Sequence, residues 1–210
     1  MNPNTVATES TVTHVAAPTA TIIAADASDP YFVWVLKPTA KHNGKLVLPG
    51  GKIELHTGQT PRQCAIDEFS QEAGGQGAYL ENLKLFALRS DPYGDVREVS
   101  LAKVTNESGP KEDRNKPVIA YYGAADSIFL AAVIGVPAPK DGEAKEFLQI
   151  NVCEIACSKT PEESRFGAQH DLILLLYRLY LSGRPVQLDD LEDLTALRKR
   201  LPTLLAEADG

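Results

Sequence analysis

Two glutamates one helical turn apart are the residues of this chain best suited to chemistry. Glu68 and Glu72 follow a Leu-Pro-Gly-Gly segment that ends at Gly51. Residues spaced i, i+4 project from the same side of a helix, one above the other. Clustered carboxylates beside a glycine corner suit a hard divalent cation and a phosphate-bearing substrate. The segment therefore predicts a site for phosphate chemistry.

Strong local signals predict that a helix carries these glutamates. Thr60 is a suitable N-cap, Pro61 fits the first helical position, and Gln63 completes a T-x-x-Q capping box. The pair Gly74–Gly75 permits the left-handed C-cap in which helices commonly end. We expect a helix over residues 61–73. Its apolar face, adjacent to the glutamates, consists of Ala65, Ile66, Phe69 and Ala73.

The stretch 51–75 resembles the Nudix box, whose family pattern is G-x5-E-x7-R-E-U-x-E-E-x-G-U, with U a bulky aliphatic residue. Gly51 matches the first glycine and Gly74 the last, while Glu68 and Glu72 match two glutamates of the helix. The segments DPYGDVREVS and QHDLILL outside the box are more similar to the ADP-ribose branch of the family than to its triphosphate-cleaning enzymes. The resemblance implies an α/β fold, an α/β/α sandwich around a mixed β-sheet.

Three charged positions of the family pattern are changed in this chain. With two extra residues in the loop LHTGQ, the upstream glutamate falls on Gln59, the arginine is Asp67, and the first glutamate of the pair is Gln71. In the family, the arginine generally pairs with the upstream glutamate. Losing both together avoids an unpaired buried charge, which costs about 3–5 kcal/mol. We expect a hydrogen bond from Gln59 to Asp67 to connect loop and helix instead.

These residues predict a metal site that has less negative charge than the family pattern provides. Mg²⁺ takes about six oxygen ligands and usually keeps several waters, so Glu68 and Glu72 suffice for one ion, with Mn²⁺ as an alternative. The carbonyl oxygen of Gly50 or Gly51 is a further ligand. The side-chain oxygen of Gln71 can also bind the ion, but it brings no charge.

Residues outside the box complete the expected site. The family often adds a carboxylate from a distant loop as base or ligand, and Glu143 in DGEAKE is the candidate, with Glu146 behind it. Arg89 and Arg97 are candidate contacts to substrate phosphates, although arginines on exposed strands are common. Together with Glu68 and Glu72, Glu143 makes up the predicted catalytic set.

Composition limits the classes of function. The chain has 210 residues, of which 43% are apolar, and a net charge of −7, which argues against nucleic-acid or anionic-membrane surfaces. No apolar run is long enough to span a membrane, and no signal peptide is evident. The three cysteines, Cys64, Cys153 and Cys157, are sparse and odd in number, so we expect a cytoplasmic protein without disulfides.

The remaining patterns predict one domain over residues 18–210, after a flexible N-terminal tail of residues 1–17. Residues 168–182 form a helix that is apolar on almost every side, so it lies in the core or contacts a second copy in a homodimer. A terminal helix covers residues 189–208. Strands are expected at 19–25 and 31–37, which form a hairpin, and at 45–48, 83–89, 97–104, 117–122 and 147–152.

The leading functional hypothesis is a Mg²⁺-dependent hydrolase that cleaves the diphosphate bond of a nucleoside diphosphate joined to another group, such as an ADP-ribose-like compound. The alternative is a catalytically weak or silent domain that binds a nucleotide as a sensor or interaction module, which the altered box favours. A structural interaction protein is a third hypothesis, based only on the Leu-rich helix. Turnover across a panel of such compounds separates the first two.

Overall fold

The computed structural model describes residues 13–38, 41–73, 77–89, 96–100, 115–139 and 144–208. The strands are β1 (Thr13–Asp26), β2 (Phe32–Pro38), β3 (Gly50–Lys52), β4 (Ala78–Arg89), β5 (Val96–Ser100), β6 (Pro117–Gly135) and β7 (Ala144–Asn151). The α-helices are α1 (Pro61–Glu72), α2 (His170–Leu181) and α3 (Leu194–Ala208). Short 3-10 helices lie at Lys41–Gly44, Leu55–Thr57 and Val152–Glu154.

All the strands join one mixed sheet. Its main order is β4-β6-β1-β2-β7, with β3 paired to β1 and β5 paired to β6. Strands β1 and β6 run parallel, and the other pairs are antiparallel. The predicted hairpin is confirmed, because β1 and β2 pair with Ala24 opposite Trp34. Strand β3 therefore brings the glycine corner of the box onto the central strand β1.

The helices cover both faces of this sheet. Side chains alternate along β1, so Ile22 packs in the cluster that contains Phe69 of α1, and Ile23 packs with α2 and α3 on the opposite face. This arrangement confirms the predicted α/β/α sandwich around a mixed sheet. The Leu-rich helix α2 lies in the core of the chain itself, with Leu172 and Leu175 completely buried. A homodimer remains a prediction.

Several predicted boundaries differ from the structure, and three of the differences bear on the box or on the ends of the chain. The tail was expected to end at residue 17, but β1 begins at Thr13 because β6 provides a partner strand that starts opposite it at Val118. Residues 1–12 lie outside the described ranges. The strand predicted at 45–48 is reduced to isolated bridges at Leu46 and Val47, and the regular pairing follows Pro49, in β3. The terminal helix begins later than expected, at Leu194, since turns occupy the preceding residues.

No helix in the described ranges is both long and apolar enough to cross a membrane.

Candidate active site

Helix α1 begins where the sequence predicts. Thr60 has the extended backbone of an N-cap (φ −81°, ψ 157°), and its hydroxyl accepts a hydrogen bond from the Gln63 amide at 3.2 Å. Only this half of the capping box forms, because the Gln63 side chain donates to Asp67 Oδ1 at 2.8 Å instead of turning back to Thr60. The local sequence thus fixes the start of the helix, and the exposed side chain of Gln63 bonds within the helix to Asp67.

A stripe of side chains on α1 faces the glycine corner of β3. Cys64, Glu68 and Glu72 are spaced four residues apart, so they lie on one side of the helix. The Cys64 thiol donates to the Gly51 carbonyl at 3.8 Å, and the Gly50 amide donates to Glu72 Oε2 at 3.2 Å. The Glu68 carboxylate lies directly against the Cα of Gly51. The structure therefore brings the two predicted carboxylates together at the predicted glycines.

Neither glycine can be replaced without moving its neighbours. Gly50 has φ +150° and packs against the Ala20 carbonyl on β1, where an added Cβ would overlap that oxygen. A Cβ on Gly51 would overlap the Glu68 carboxylate. Both positions are therefore glycine because the backbone closely approaches strand β1 at Gly50 and the Glu68 carboxylate at Gly51.

Cys64 is an inert member of this stripe. Burial raises the pKa of its thiol to about 12, with the negative charges of Glu68 and Asp67 acting in the same direction. The thiolate is the form that attacks substrates and binds metals, so at neutral pH Cys64 provides neither function. Oxygen atoms are therefore the groups at this corner that would hold a metal ion.

The predicted contact between Gln59 and Asp67 is present. Gln59 Nε2 donates to Asp67 Oδ2 at 2.9 Å, and Gln59 Oε1 accepts from the Glu54 amide at 2.8 Å. Together with the bond from Gln63, this places both oxygens of Asp67 in hydrogen bonds to amide groups. A neutral–charged hydrogen bond thus connects loop and helix at the positions where the family pattern has an ion pair.

Replacing Gln59 and Asp67 by the glutamate and arginine of the family pattern tests this connection between loop and helix. Asp67→Arg alone loses the bonds to Gln59 and Gln63, and Gln59→Glu alone places a second carboxylate beside Asp67, so each should destabilise the fold. The double variant Gln59→Glu/Asp67→Arg should recover stability through an ion pair. We expect a coupling free energy above about 0.5 kcal/mol from denaturant unfolding of all four proteins. Additive effects would show that the two side chains do not contact each other in solution.

The residues present fit one divalent ion. Within the described ranges, no group of three or more His, Cys, Asp or Glu side chains has the arrangement of a metal site. Two carboxylates and the Gly51 carbonyl provide three ligand groups, and an ion of the Mg²⁺ type would complete its shell with waters and substrate oxygens. Gln71 is exposed at the edge of this corner. The donor set is that of a hard, weakly held cation.

A cleft of about 440 Å³ lies beside the box. The box contributes Ile53, Leu55 and Pro61 to it. The other lining residues come from four distant parts of the chain: Pro18, Leu88, Arg89, Ala125, Asp126, Ser127, Leu188, Asp189 and Glu192. Sequence reasoning missed this cleft, because no motif marks residues 125–127 or 188–192.

No family model matches this chain, and no curated protein matches it in sequence. Solved structures do show similarity. A putative Nudix hydrolase from Chromobacterium violaceum is 19% identical, with a TM-score of 0.47, over 93% of this chain and 92% of that one. A Nudix hydrolase from Nitrosomonas europaea is 18% identical, with a TM-score of 0.47, over 81% and 74%.

A MutT protein from Methanosarcina mazei Go1 is 14% identical, with a TM-score of 0.46, over 82% of this chain and 98% of that one. All three structures have TM-scores below 0.5 with this chain. At these identities the function of this chain must be inferred from its own residues.

Arg89 lines the cleft, but its guanidinium is already paired with a carboxylate, so its surroundings do not support the phosphate contact predicted for it. Its side chain is completely buried, with Nη2 bonded to Asp126 Oδ2 at 2.6 Å and Nη1 donating to the Ala168 carbonyl at 2.9 Å. Thr21 also donates to Asp126, at 3.0 Å. The reason is the register of β4 and β6, which sets Arg89 opposite Asp126. The Arg89 guanidinium thus connects β4 to β6 and to the segment that precedes α2.

The other candidates outside the box stay predictions. Arg97 lies on β5 opposite Ala120, so the sheet fixes its backbone. Glu143 lies outside the described residues. Glu146, on β7 opposite Lys37, is exposed.

Proposed function

We propose that this chain is a Nudix-type hydrolase that cleaves the diphosphate bond of a nucleoside diphosphate joined to a second group, with Mg²⁺ as cofactor and Mn²⁺ as an alternative. The observation that carries the proposal is the meeting of Glu68 and Glu72 with the backbone of Gly50 and Gly51. Carboxylates held beside a glycine corner suit a divalent cation, which can neutralise the charge of a diphosphate during hydrolysis.

The chain's own residues have distinct roles in this proposal. Bound Mg²⁺ would neutralise charge on the phosphate oxygens and polarise the attacking water. Glu72 is oriented by the Gly50 amide, and Glu68 by its contact with Gly51, so both carboxylates are positioned before substrate binds. Glu143, which directly precedes β7, is the proposed base. Arg97 is the proposed phosphate contact.

Other features support the proposed substrate and location. The segments that are similar to the ADP-ribose branch place ADP-ribose-like compounds among the proposed substrates. All three cysteines are free thiols, in agreement with a reducing cytoplasm. The net charge of −7 supports a small phosphorylated substrate bound with a cation over a nucleic acid.

Detection of the nucleoside monophosphate product by chromatography tests this function, because cleavage of the diphosphate bond gives two phosphomonoesters and no free phosphate. The purified chain is incubated with ADP-ribose, other nucleoside diphosphate compounds and nucleoside triphosphates, with Mg²⁺, with Mn²⁺ or with a chelator. We expect metal-dependent turnover of at least one diphosphate-linked compound and little turnover of triphosphates. Hydrolysis that persists in chelator would contradict the role of the cation.

A silent nucleotide-binding module is the second candidate. It is favoured by Gln71, which is exposed and neutral at a position where the family pattern has a charged metal ligand. Binding of the same compounds without turnover, measured by calorimetry, would select this function over hydrolysis.

A further inference from the structure

The cleft beside the box opens on the face of the sheet that carries α1. Ser127 and Leu88 are paired across β6 and β4. They point to the α1 side, because Phe129, two residues after Ser127, packs in the cluster of α1. Ile53, at the other side of the cleft, belongs to the same cluster. The cleft therefore lies on the same face as Glu68 and Glu72.

One wall of the cleft is a firmly anchored segment, residues 187–192. The Leu188 carbonyl accepts from the Leu88 amide of β4 at 2.8 Å. Asp190 closes a turn by accepting from the Gln187 amide at 2.8 Å, and Leu191 is completely buried in the core. The wall is therefore formed without a ligand.

Two carboxylates on this wall are available to a ligand. Asp189 and Glu192 both line the cleft and are exposed. In the described part of the chain, neither side chain has a hydrogen bond or an ion pair. Arg89 is the lone basic residue among the described lining residues, and its charge is matched by Asp126. A phosphate in the cleft would meet uncompensated negative charge, whereas a neutral group with hydrogen-bond donors would find acceptors.

We propose that this cleft binds the ribonucleoside of the substrate, with the ring faces against Ile53, Leu55 and Leu188 and the ribose hydroxyls donating to Asp189 and Glu192. This inference rests on the proposed function, and it names the half of the substrate that the protein selects. The volume of about 440 Å³ lies in the range of small-molecule sites.

The distance between cleft and carboxylates supports this orientation. Ile53 is two residues beyond Gly51, and two residues of extended chain span about 7 Å. Glu68 lies against Gly51. A nucleoside at Ile53 would therefore place the diphosphate that follows it beside Glu68 and Glu72.

Kinetics of two carboxamide variants test the proposal. Asp189→Asn and Glu192→Gln replace charged acceptors by neutral ones of the same size. Each is expected to raise KM for a hydrolysed nucleoside diphosphate compound about tenfold, with kcat changed less than about twofold, because the lost contact is made equally in ground and transition states. Glu154→Gln, at an exposed carboxylate outside the cleft, is the matched control and should leave KM unchanged.

Direct binding measurements distinguish the assignment of the cleft to a nucleoside from the proposed hydrolase function. Adenosine, guanosine, cytidine and uridine are titrated into the metal-free chain, together with the dideoxy analogue of whichever nucleoside binds. We expect one or more to bind, the analogue to bind about tenfold more weakly, and Ala125→Phe, which fills the cleft, to abolish binding.

If the nucleosides bind in this way but no compound is hydrolysed, the cleft assignment stands and the hydrolase proposal fails. If turnover occurs while the two carboxamide variants keep the KM of the unaltered protein, the cleft assignment is overturned. Absence of nucleoside binding up to about 10 mM also overturns it.

Discussion

Replacing Asp126 by alanine should lower the free energy of unfolding by about 3–5 kcal/mol, because it removes the carboxylate that neutralises a completely buried guanidinium. Arg89 Nη2 lies 2.6 Å from Asp126 Oδ2, and neither side chain is exposed to solvent. Taking a charge out of water costs several kcal/mol, and only a close counter-charge offsets this. Denaturant unfolding of the variant and of the unaltered protein measures the difference.

A surface ion pair of similar length is the matched control. Arg184 and Glu207 approach to 2.7 Å, but their side chains are 33% and 57% exposed. Glu207→Ala should therefore change the free energy of unfolding by less than about 1 kcal/mol. The double variant Arg89→Met/Asp126→Leu, which removes both charges, should be more stable than Asp126→Ala. If Asp126→Ala and Glu207→Ala lower the free energy of unfolding equally, burial does not determine the cost of breaking an ion pair.

The role of Arg89 illustrates which contacts a sequence does not reveal. Its partner Asp126 is 37 residues away in the chain. Their meeting depends on the register of β4 and β6, which shifts at two irregularities before Arg89 is reached. A strand arginine that is paired in the core has the same local sequence signature as one that faces solvent. Because register is set by the whole sheet, the sequence did not reveal that Arg89 meets Asp126. The residue type alone therefore suggested a phosphate contact.

Helix α1 illustrates the opposite case. Its start depends on Thr60, Pro61 and Gln63, which act on backbone groups within one turn, so local chemistry predicts it correctly. The bond between Gln59 and Asp67 was also predictable, because two positions that form an ion pair in the family pattern are both changed here. The cleft was not predictable, because residues 188–192 reach the box only through the fold of the whole chain.

Glu72→Gln should reduce metal-dependent kcat at least about tenfold, which is about 1.4 kcal/mol of barrier. Glutamine keeps the size of the side chain and an oxygen that can accept from the Gly50 amide, so the contact of loop and helix survives. What is lost is one of two negative charges at the corner. Turnover measured as a function of Mg²⁺ concentration checks this, with Glu81→Gln on the exposed side of β4 as the matched control.

The reverse change at a neighbouring position makes the test specific to charge. Gln71→Glu adds a carboxylate at the edge of the same corner, so it should lower the Mg²⁺ concentration needed for half-maximal turnover, and it should partly restore Glu72→Gln. Compensation requires that both side chains reach one ion, whereas a general loss of folding would not be repaired by a second substitution. If kcat and the Mg²⁺ requirement are unchanged in both single variants, this face of α1 holds no cation, and the nucleotide-binding module becomes the better description of the chain.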